Sequence, residues 1–407
     1  MVDTGTTPEA APLLLAVARP FSDSQLIDHL LQKIKRHDLL IELARQHGVL
    51  PLLWTEIVKV NTALASECVL RIHDECFVTL AQNLAAVSEL MTLLSVFISN
   101  GICALPFKGV VLADSVYGRV GLRPAGDLDL LIYRRDLPRA TELLTDRGYE
   151  LQTVVQADGS PVDIQKYECH FERHCDGMIV ELRWRLTQSH FQADLGMDWL
   201  WPRKQTRTLL GTEIPTISPE HTLILLCLHG SKHGWSRLIW IRDVAQLIIA
   251  RPDLDWALVL RDARRFGLSR ALALGVLLSV HVMGVRVPER VHWHLRRSSK
   301  MREFTRHIAE NLFDDAKRIP VERVPYHIQL LGIGERWRWR WSLRPFRPNQ
   351  RDRDMVALPS RLGFLYYMIR PVRLMRDHWQ RNKTMENLRF ILSKLTFRKL
   401  RSNLRLF

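Results

Sequence analysis

The sequence predicts an α+β protein in which a small sheet lies between N-terminal and C-terminal helical regions. Apolar residues recur at helical spacing up to about residue 100 and again after residue 216. The segment between them contains short runs that are typical of strands. The chain has 407 residues, 47% of them hydrophobic, which is long enough for more than one buried core. We divide it into four regions, which are an N-terminal helical region (1–100), an α/β core (101–215), a second helical region (216–290) and a basic, aromatic-rich, mainly helical region (291–407).

The N-terminal region contains two helical patterns. Residues 22–58 repeat apolar positions at helical spacing, with a stop at Gly48. Residues 81–102 form a second amphipathic pattern that ends at Asn100-Gly101, a typical helix C-terminus.

In the core, four runs are typical of strands, and we expect them to form one sheet within about residues 102–187. These runs are "ALPF", "DLDLLIY", "YELQTVV" and "MIVELRWRL". A helix, "LPRATELLTDRG", is predicted between the second and third runs. Helices return at Ser218, which is expected to cap a helix with Pro219 in its first turn.

The formal net charge is +15, and it is concentrated near the C-terminus. Residues 361–407 contain twelve Lys or Arg residues and two acidic ones. A basic surface of this kind suits nucleic acid, acidic lipid or polyphosphate, although a solvated basic face explains it equally well. Upstream, "RWRWRW" at 336–341 would place tryptophans and arginines on opposite faces of a strand. That arrangement suits single-stranded nucleic acid or an anionic membrane surface, or tryptophans that pack inside the domain.

The composition favours a cytoplasmic protein without a transmembrane segment. No N-terminal segment has the pattern of a signal peptide. The most apolar stretch, 268–287, is interrupted by Arg270, His281 and Arg286, so we expect a buried helix there. The six cysteines are scattered, which suits a reducing compartment.

The strongest chemical signal is the pair Asp127 and Asp129 at the start of an apolar strand. Side chains alternate along a strand, so both carboxylates lie on one face and repel each other. A divalent cation between them removes this repulsion, and Mg²⁺ prefers such oxygen ligands. Glu181, on the apolar run that could pair beside this strand, is the candidate third carboxylate. If instead Asp127 only caps a turn and Asp129 is exposed, the pair has no chemical role.

Lys108-Gly109 follows an apolar run and suits phosphate binding. The glycine lets backbone amides approach a triphosphate, and the lysine supplies a positive charge. Arg119 and Arg123, in the segment before the aspartates, are further candidates to bind phosphate.

These motifs together resemble the uncharacterised bacterial nucleotidyltransferase family, a branch of the DNA polymerase β-like nucleotidyltransferase superfamily. The pattern is "FKG…YGRVGLRPAGDLDLLI…GYE…VELRWRL…LHGSKHGWSRLIWIRDVAQLI". The resemblance implies a mixed sheet backed by helices, the nucleotidyltransferase core, and two Mg²⁺ ions bound to an NTP. It also implies that Asp127 and Asp129 bind both ions and that Glu181 binds one of them.

Two departures from the superfamily change the expected contacts. Lys-Gly stands where Gly-Gly or Gly-Ser is usual, so an ammonium replaces the serine hydroxyl at the phosphate. Arg183 stands where relatives often have a histidine, and an arginine cannot act as a base.

The resemblance also places "LHGSKHGWSRLIWIRD" on the nucleotide side of the cleft. Candidates for packing, base stacking or phosphate binding are therefore Lys232, Trp235, Arg237, Trp240 and Asp243. Alternatively, Trp235 and Trp240 are core residues, and Asp243 pairs with Arg237 or Arg242. Zinc sites at "CHFERHC" (169–175) and at His229 with His233 are weaker alternatives. The first has its ligands packed too closely, and the second lacks the glutamate of the His-Glu-x-x-His motif.

We expect an Mg²⁺-dependent nucleotidyltransferase that moves an NMP from an NTP, with ATP the first candidate, to an unidentified hydroxyl acceptor. The acceptor could be a protein, a metabolite or a nucleic-acid end. The alternative is a non-catalytic NTP-binding or partner-binding protein that keeps the fold and uses its basic tail for an anionic partner. The presence of all three carboxylates favours the enzyme.

Overall fold

The computed structural model describes residues 9–60, 66–152, 168–186, 195–314 and 365–368. The chain divides into two compact units, Met1–Leu331 and Gly332–Phe407, and every element named below belongs to the first. The tryptophan-arginine run at 336–341 lies outside the described residues, as does the basic tail apart from 365–368. The interpretations of these segments, and the division into four regions, stay predictions.

The described residues contain two groups of α-helices, eight up to Leu200 and six from Pro219 onwards. In chain order they are α1 (Ala11–Ala18), α2 (Ser24–Leu31), α3 (His37–Gln46), α4 (Leu50–Ile57), α5 (Ser66–Ser99), α6 (Gly109–Tyr117), α7 (Leu137–Thr145), α8 (Met197–Leu200), α9 (Pro219–Lys232), α10 (Leu238–Ala250), α11 (Trp256–Arg265), α12 (Ser269–Met283), α13 (Glu289–Leu295) and α14 (Ser299–Glu310).

Seven strands form two sheets in the described residues. They are β1 (Ala104–Pro106), β2 (Leu128–Ile132), β3 (Glu150–Gln152), β4 (Glu168–Arg173), β5 (Met178–Arg183), β6 (Gln205–Leu209) and β7 (Thr212–Thr216). The main sheet has the order β1-β2-β5-β4-β3, and β6 and β7 form a separate hairpin. The pair β2–β5 is parallel and the other pairs are antiparallel, so the main sheet is mixed. The predicted fold class, an α+β protein with a small mixed sheet flanked by helices, is confirmed.

The two faces of the main sheet differ in chemistry. Leu128 and Leu130 of β2 and Val180 and Leu182 of β5 are buried in one hydrophobic core, which also contains apolar residues from the second half of α5. Because side chains alternate along a strand, the intervening Asp129, Glu181 and Arg183 lie on the opposite face. The burial of the apolar face therefore determines where the charged residues point.

The N-terminal helical pattern is broken more often than its periodicity predicts. Residues 22–58 form three helices, and the chain leaves the helix between α2 and α3. There the Glu9 carboxylate accepts hydrogen bonds from the backbone N–H groups of Lys35 and Arg36, at 3.0 and 2.9 Å. This contact comes from a distant part of the sequence, so local periodicity does not reveal it.

Helix α5 begins at Ser66, whereas the amphipathic pattern begins only at residue 81. Leu70 and Phe77 are 62% and 63% exposed, so the first half of the helix has apolar residues on its outer side as well. That distribution hides the one-sided pattern by which an amphipathic helix is identified.

Two predicted helix boundaries are confirmed. Ser218 caps α9, and its hydroxyl accepts a hydrogen bond from the His221 N–H at 3.4 Å. Gly48, at the predicted stop, has φ +69, and a Cβ there would lie 2.9 Å from the Ile239 side chain. The glycine therefore both ends the helical stretch and allows α10 to pack closely against it.

Among the described helices, α5 alone is long and apolar enough to cross a membrane by length and composition. That criterion is weak, because core helices of soluble proteins also meet it. Helix α12 covers most of the apolar stretch at 268–287 and is buried along most of its length, as predicted.

The contact between Gly230 and Trp235 offers a test of the packing behind the sheet. A Cβ at Gly230 would lie 2.5 Å from the ring of Trp235, which is fully buried and has φ +54. The ring has no room to move, so we expect Gly230→Ala to destabilise the protein by about 1–3 kcal/mol. Urea unfolding measures the change.

Gly126→Ala is the matched control. Nothing lies within 4 Å of a Cβ at Gly126, and its φ is not in the left-handed region. We expect a change within about 0.5 kcal/mol. Equal stabilities of the two variants would contradict the close packing of Gly230 against Trp235.

Candidate active site

The parallel pairing of β2 with β5 brings the predicted carboxylates together. In this register Asp129 lies directly opposite Glu181, and Asp127 precedes β2 on the same face. One carboxylate oxygen from each of these three residues lies within 4.8 Å of the others. Three oxygen ligands at this spacing fit a hard divalent cation.

Asp129 is the most deeply buried member of this carboxylate triad, which consists of Asp127, Asp129 and Glu181. Its side chain is 1% exposed. Neither of its oxygens has a well-directed hydrogen bond within the described part of the chain. A buried carboxylate in this condition is costly unless cations neutralise it.

Two basic side chains lie against Asp129. The Lys108 Nζ is 2.8 Å from one Asp129 oxygen, and the Arg183 Nε is 3.3 Å from the other. Arg183 also forms ion pairs with Glu181 and with Glu168 of β4. Burial alone would lower the pKa of Arg183, but Asp129, Glu168 and Glu181 together raise it. The guanidinium is therefore a permanent positive charge within the cluster.

Lys108 and Gly109 form the sharp turn from β1 into α6. Lys108 has φ +61 and Gly109 has φ +46, both in the left-handed region. A Cβ at Gly109 would lie 3.2 Å from the Asp127 carbonyl oxygen. The glycine thus allows the first turn of α6 to approach the carboxylate triad.

Asp127 differs from Asp129 because it has no ion pair with any described residue. Burial, followed by the negative charge of Asp129, raises its pKa from 3.8 to about 6, although Lys108 opposes the change. Ionised Asp127 is therefore held in the folded protein at a cost in free energy.

Arg123 and Asp243, two candidates for nucleotide binding, pair with each other. The Arg123 Nε donates to both Asp243 oxygens, at 2.9 and 3.1 Å, and the Tyr117 hydroxyl donates to one of them at 2.7 Å. Arg123 and Asp243 are both buried. The pair connects the segment before Asp127 to α10, whereas contact of either residue with a nucleotide stays a prediction.

Asn83 of α5 holds the same segment from the other side. Its amide donates to the carbonyl of Val120 and, at 2.9 Å, to that of Arg123, and its oxygen accepts from the Ala125 N–H at 3.2 Å. Asn83 is fully buried. Sequence reasoning missed this residue, although a polar residue within a helical stripe that is otherwise apolar is a signal that could have revealed it.

The end of α9 and the start of α10 carry a cluster of rings beside the triad. The ring centroids of His229, His233 and Trp240 lie 4.5–5.4 Å apart, and Arg237 lies over Trp240. Burial, and then the nearby positive charge of Lys108, hold the pKa of His229 well below its usual value. Burial lowers the pKa of His233 to about 4, with Lys232 adding to the effect. Both histidines are therefore neutral at pH 7.

The remaining candidates lie in different surroundings. Trp235 is a core residue, and Trp240 is partly buried. Burial lowers the pKa of Lys232, while Glu168 opposes the change. Arg119 is exposed and lines a cavity of about 750 Å³ at the C-terminal end of α6, the opposite end from Lys108. Roles for Lys232, Trp240 and Arg119 in nucleotide binding stay predictions.

Glu168 of β4 lies beside the triad and was missed by sequence reasoning, which considered His170 only as part of the zinc alternative at 169–175. His170 lies opposite Glu181 in the register, and its Nδ1 is 3.2 Å from a Glu181 oxygen. Glu168, His170 and Glu181 form a second group with the spacing of metal ligands. The signal was present in the alternation of Glu168 and His170 with the buried Cys169 and Phe171.

Neither zinc alternative is supported in the described part of the chain. Cys169 is buried, Cys175 is exposed, and His174 pairs with Glu150 at 3.1 Å. No candidate metal group among the described residues contains a cysteine, and none contains His229 or His233.

Comparison with known proteins gives the family. Residues 35–284 match the protein family described as "Uncharacterised nucleotidyltransferase". The chain belongs to this family. The predicted resemblance is therefore confirmed. The matched residues of this nucleotidyltransferase family member include the carboxylate triad, the Lys108-Gly109 turn and α10.

A structural comparison finds similarity to the crystal structure of an antigenic nucleotidyltransferase-like protein from Paracoccidioides brasiliensis. The two chains share 19% identity, with 48% of this chain and 91% of that chain covered, at a TM-score of 0.28. The family assignment therefore rests on the sequence match. Comparison with curated protein sequences finds no match.

The raised pKa of Asp127 predicts a pH-dependent gain in stability for Asp127→Asn in metal-free protein. Because the folded pKa, about 6, exceeds the usual 3.8, the wild-type protein loses stability as the pH rises from about 4 through 6. The asparagine removes this loss. We expect a gain of about 2–3 kcal/mol at pH 8 and little change at pH 4, measured by urea unfolding in chelator. A variant less stable than wild type at pH 8 would contradict the raised pKa of Asp127.

Loss of the Asn83 contacts should destabilise the segment that leads to Asp127. Asn83→Ala leaves two buried carbonyls and one N–H without their side-chain partner, and we expect a cost of about 2–4 kcal/mol. Thr92→Ala is the matched control on the same helix, because Thr92 is partly exposed and its hydroxyl donates to the Ser88 carbonyl one turn earlier, at 2.9 Å. Similar unfolding free energies for both variants would show that Asn83 has no such role.

Proposed function

We propose that this protein is an Mg²⁺-dependent nucleotidyltransferase that transfers an NMP from an NTP to a hydroxyl acceptor, with ATP as the first donor to test. The observation that carries the proposal is the convergence of Asp127, Asp129 and Glu181 on the polar face of a parallel strand pair. Membership of the nucleotidyltransferase family supports the reaction class. The six free cysteines suit a reducing compartment, so we also propose a cytoplasmic location.

In this proposal Asp127 and Asp129 would hold both metal ions, and Glu181 would hold one of them. When bound, two Mg²⁺ ions would lower the pKa of the acceptor hydroxyl and neutralise charge on the leaving pyrophosphate. The protein's own residues position the reactants. The new bond joins the acceptor oxygen to the α-phosphorus, the bond from that phosphorus to pyrophosphate breaks, and a Glu181 oxygen would receive the acceptor's proton.

The positive groups around the triad suit a triphosphate. Lys108 lies at the N-terminus of α6, next to the carboxylates. Lys232 lies near enough for its pKa to respond to Glu168, Arg183 and Lys108. The neutral His229 and His233 add ring surface without further positive charge.

Calorimetry with ATP and Mg²⁺ tests the proposal. Wild-type protein should bind ATP only with the metal present, and Asp127→Asn/Asp129→Asn should weaken this binding by more than about 100-fold, since these carboxylates are direct ligands. Asp253→Asn is the matched control, because Asp253 pairs with Arg251 on the surface. Metal-independent binding, or equal binding by the double variant, would overturn the proposed metal site.

If metal-dependent binding is found, NTP labelled at the α-phosphate identifies the acceptor class. Transfer of the label to protein, to a small molecule or to the end of a nucleic acid distinguishes the three. Binding without transfer to any acceptor pool would instead support the non-catalytic alternative.

A further inference from the structure

The buried carboxylate Asp129 has a cation at each oxygen. Lys108 Nζ lies 2.8 Å from Oδ2, and Arg183 Nε lies 3.3 Å from Oδ1. The side chains of the two cations are 14% and 12% exposed, so solvent screens these pairs only weakly. The protein itself thus neutralises the carboxylate at which the proposed metal ion would bind.

The two cations are held differently. Arg183 lies on β5 and forms ion pairs with three acids, Asp129, Glu168 and Glu181. Lys108 forms one ion pair within the described part of the chain, with Asp129. A planar guanidinium bound at several points is fixed, whereas an ammonium on a flexible stem can turn to another partner.

A divalent cation at Asp129 would lie close to the Lys108 ammonium. Like charges a few ångström apart repel strongly where solvent screening is weak, and the double charge of the metal ion doubles this repulsion. A bound metal ion would therefore favour the departure of Lys108 from Asp129. A nearby triphosphate would offer it a new anionic partner.

We propose that Lys108 exchanges partners, pairing with Asp129 in the metal-free protein and with an NTP phosphate in the loaded one, and so makes metal and nucleotide binding depend on each other. Arg183 remains as the fixed cation that keeps Asp129 and Glu181 in place. The inference rests on the proposed function. Linkage requires that the nucleotide tighten metal binding by the same factor as the metal tightens nucleotide binding.

Substitution of Lys108 tests the exchange, because the proposal predicts opposite changes in two affinities. The affinity for the metal ion alone should rise, and the affinity for the nucleotide should fall. With Mn²⁺ alone as the probe, Lys108→Met should bind the metal about 10- to 100-fold more tightly than wild type, since no ammonium competes. The same variant should bind ATP in the presence of Mn²⁺ at least about tenfold more weakly, because a charge-assisted contact to phosphate is lost. Free Mn²⁺ is measured by electron paramagnetic resonance and nucleotide binding by calorimetry.

Lys108→Gln is a second variant that keeps a hydrogen-bond donor for Asp129 without the charge, and it should change both affinities in the same directions. Lys108→Arg keeps the charge and should bind Mn²⁺ alone nearly as wild type does. Lys204→Met is the control for the loss of a lysine away from the triad, because Lys204 is exposed and lies over the Trp201 ring.

The possible results separate the two proposals. If wild type binds Mn²⁺ with ATP, but Lys108→Met and Lys108→Gln bind Mn²⁺ alone no more tightly than wild type, the exchange is wrong and the proposed function stands. If wild type binds neither Mn²⁺ nor ATP when both are present, the proposed function fails and the exchange fails with it.

Discussion

The parallel pairing of β2 with β5 is the constraint on which the candidate active site depends. It places Asp129 directly opposite Glu181 and brings Arg183 to the same face. Side chains alternate with a period of two, so a slip of one residue would turn these charges into the apolar core and turn Leu130 and Leu182 onto the charged face. The apolar core under the sheet therefore fixes the register, and the register fixes the geometry of the carboxylates.

The charged face is stable because its basic side chains form ion pairs with its carboxylates. Arg183 lies among three acids, and Lys108 completes the neutralisation of Asp129. Asp127 has its pKa raised to about 6, because it gains burial and negative neighbours without an ion pair among the described residues. Ionised Asp127 thus lowers the stability of the fold at the position where a bound cation would neutralise it. Destabilising residues of this kind are common at functional sites.

Much of the fold and the carboxylate triad could be predicted, because both depend on local patterns. The alternation around Asp127 and Asp129 and the cap at Ser218 are visible in a few neighbouring residues. The hairpin β6–β7 was not predicted, since the first residue of its turn is Leu210, with φ +44, where Asn, Asp or Gly is usual before a glycine such as Gly211. The pair Arg123–Asp243 joins residues 120 positions apart, and no local signal indicates such a contact.

Lys108 shows how one position can meet the demands of the backbone and of charge together. Its φ of +61 is a conformation that suits glycine and costs other residues about 1–3 kcal/mol. Glycine there would remove the strain, but it would also leave Asp129 with Arg183 as its one remaining ion-pair partner among the described residues. The glycine stands one position later, where a Cβ would crowd the Asp127 carbonyl. The order Lys-Gly therefore follows from two needs, an ammonium beside Asp129 and a backbone without a Cβ beside Asp127.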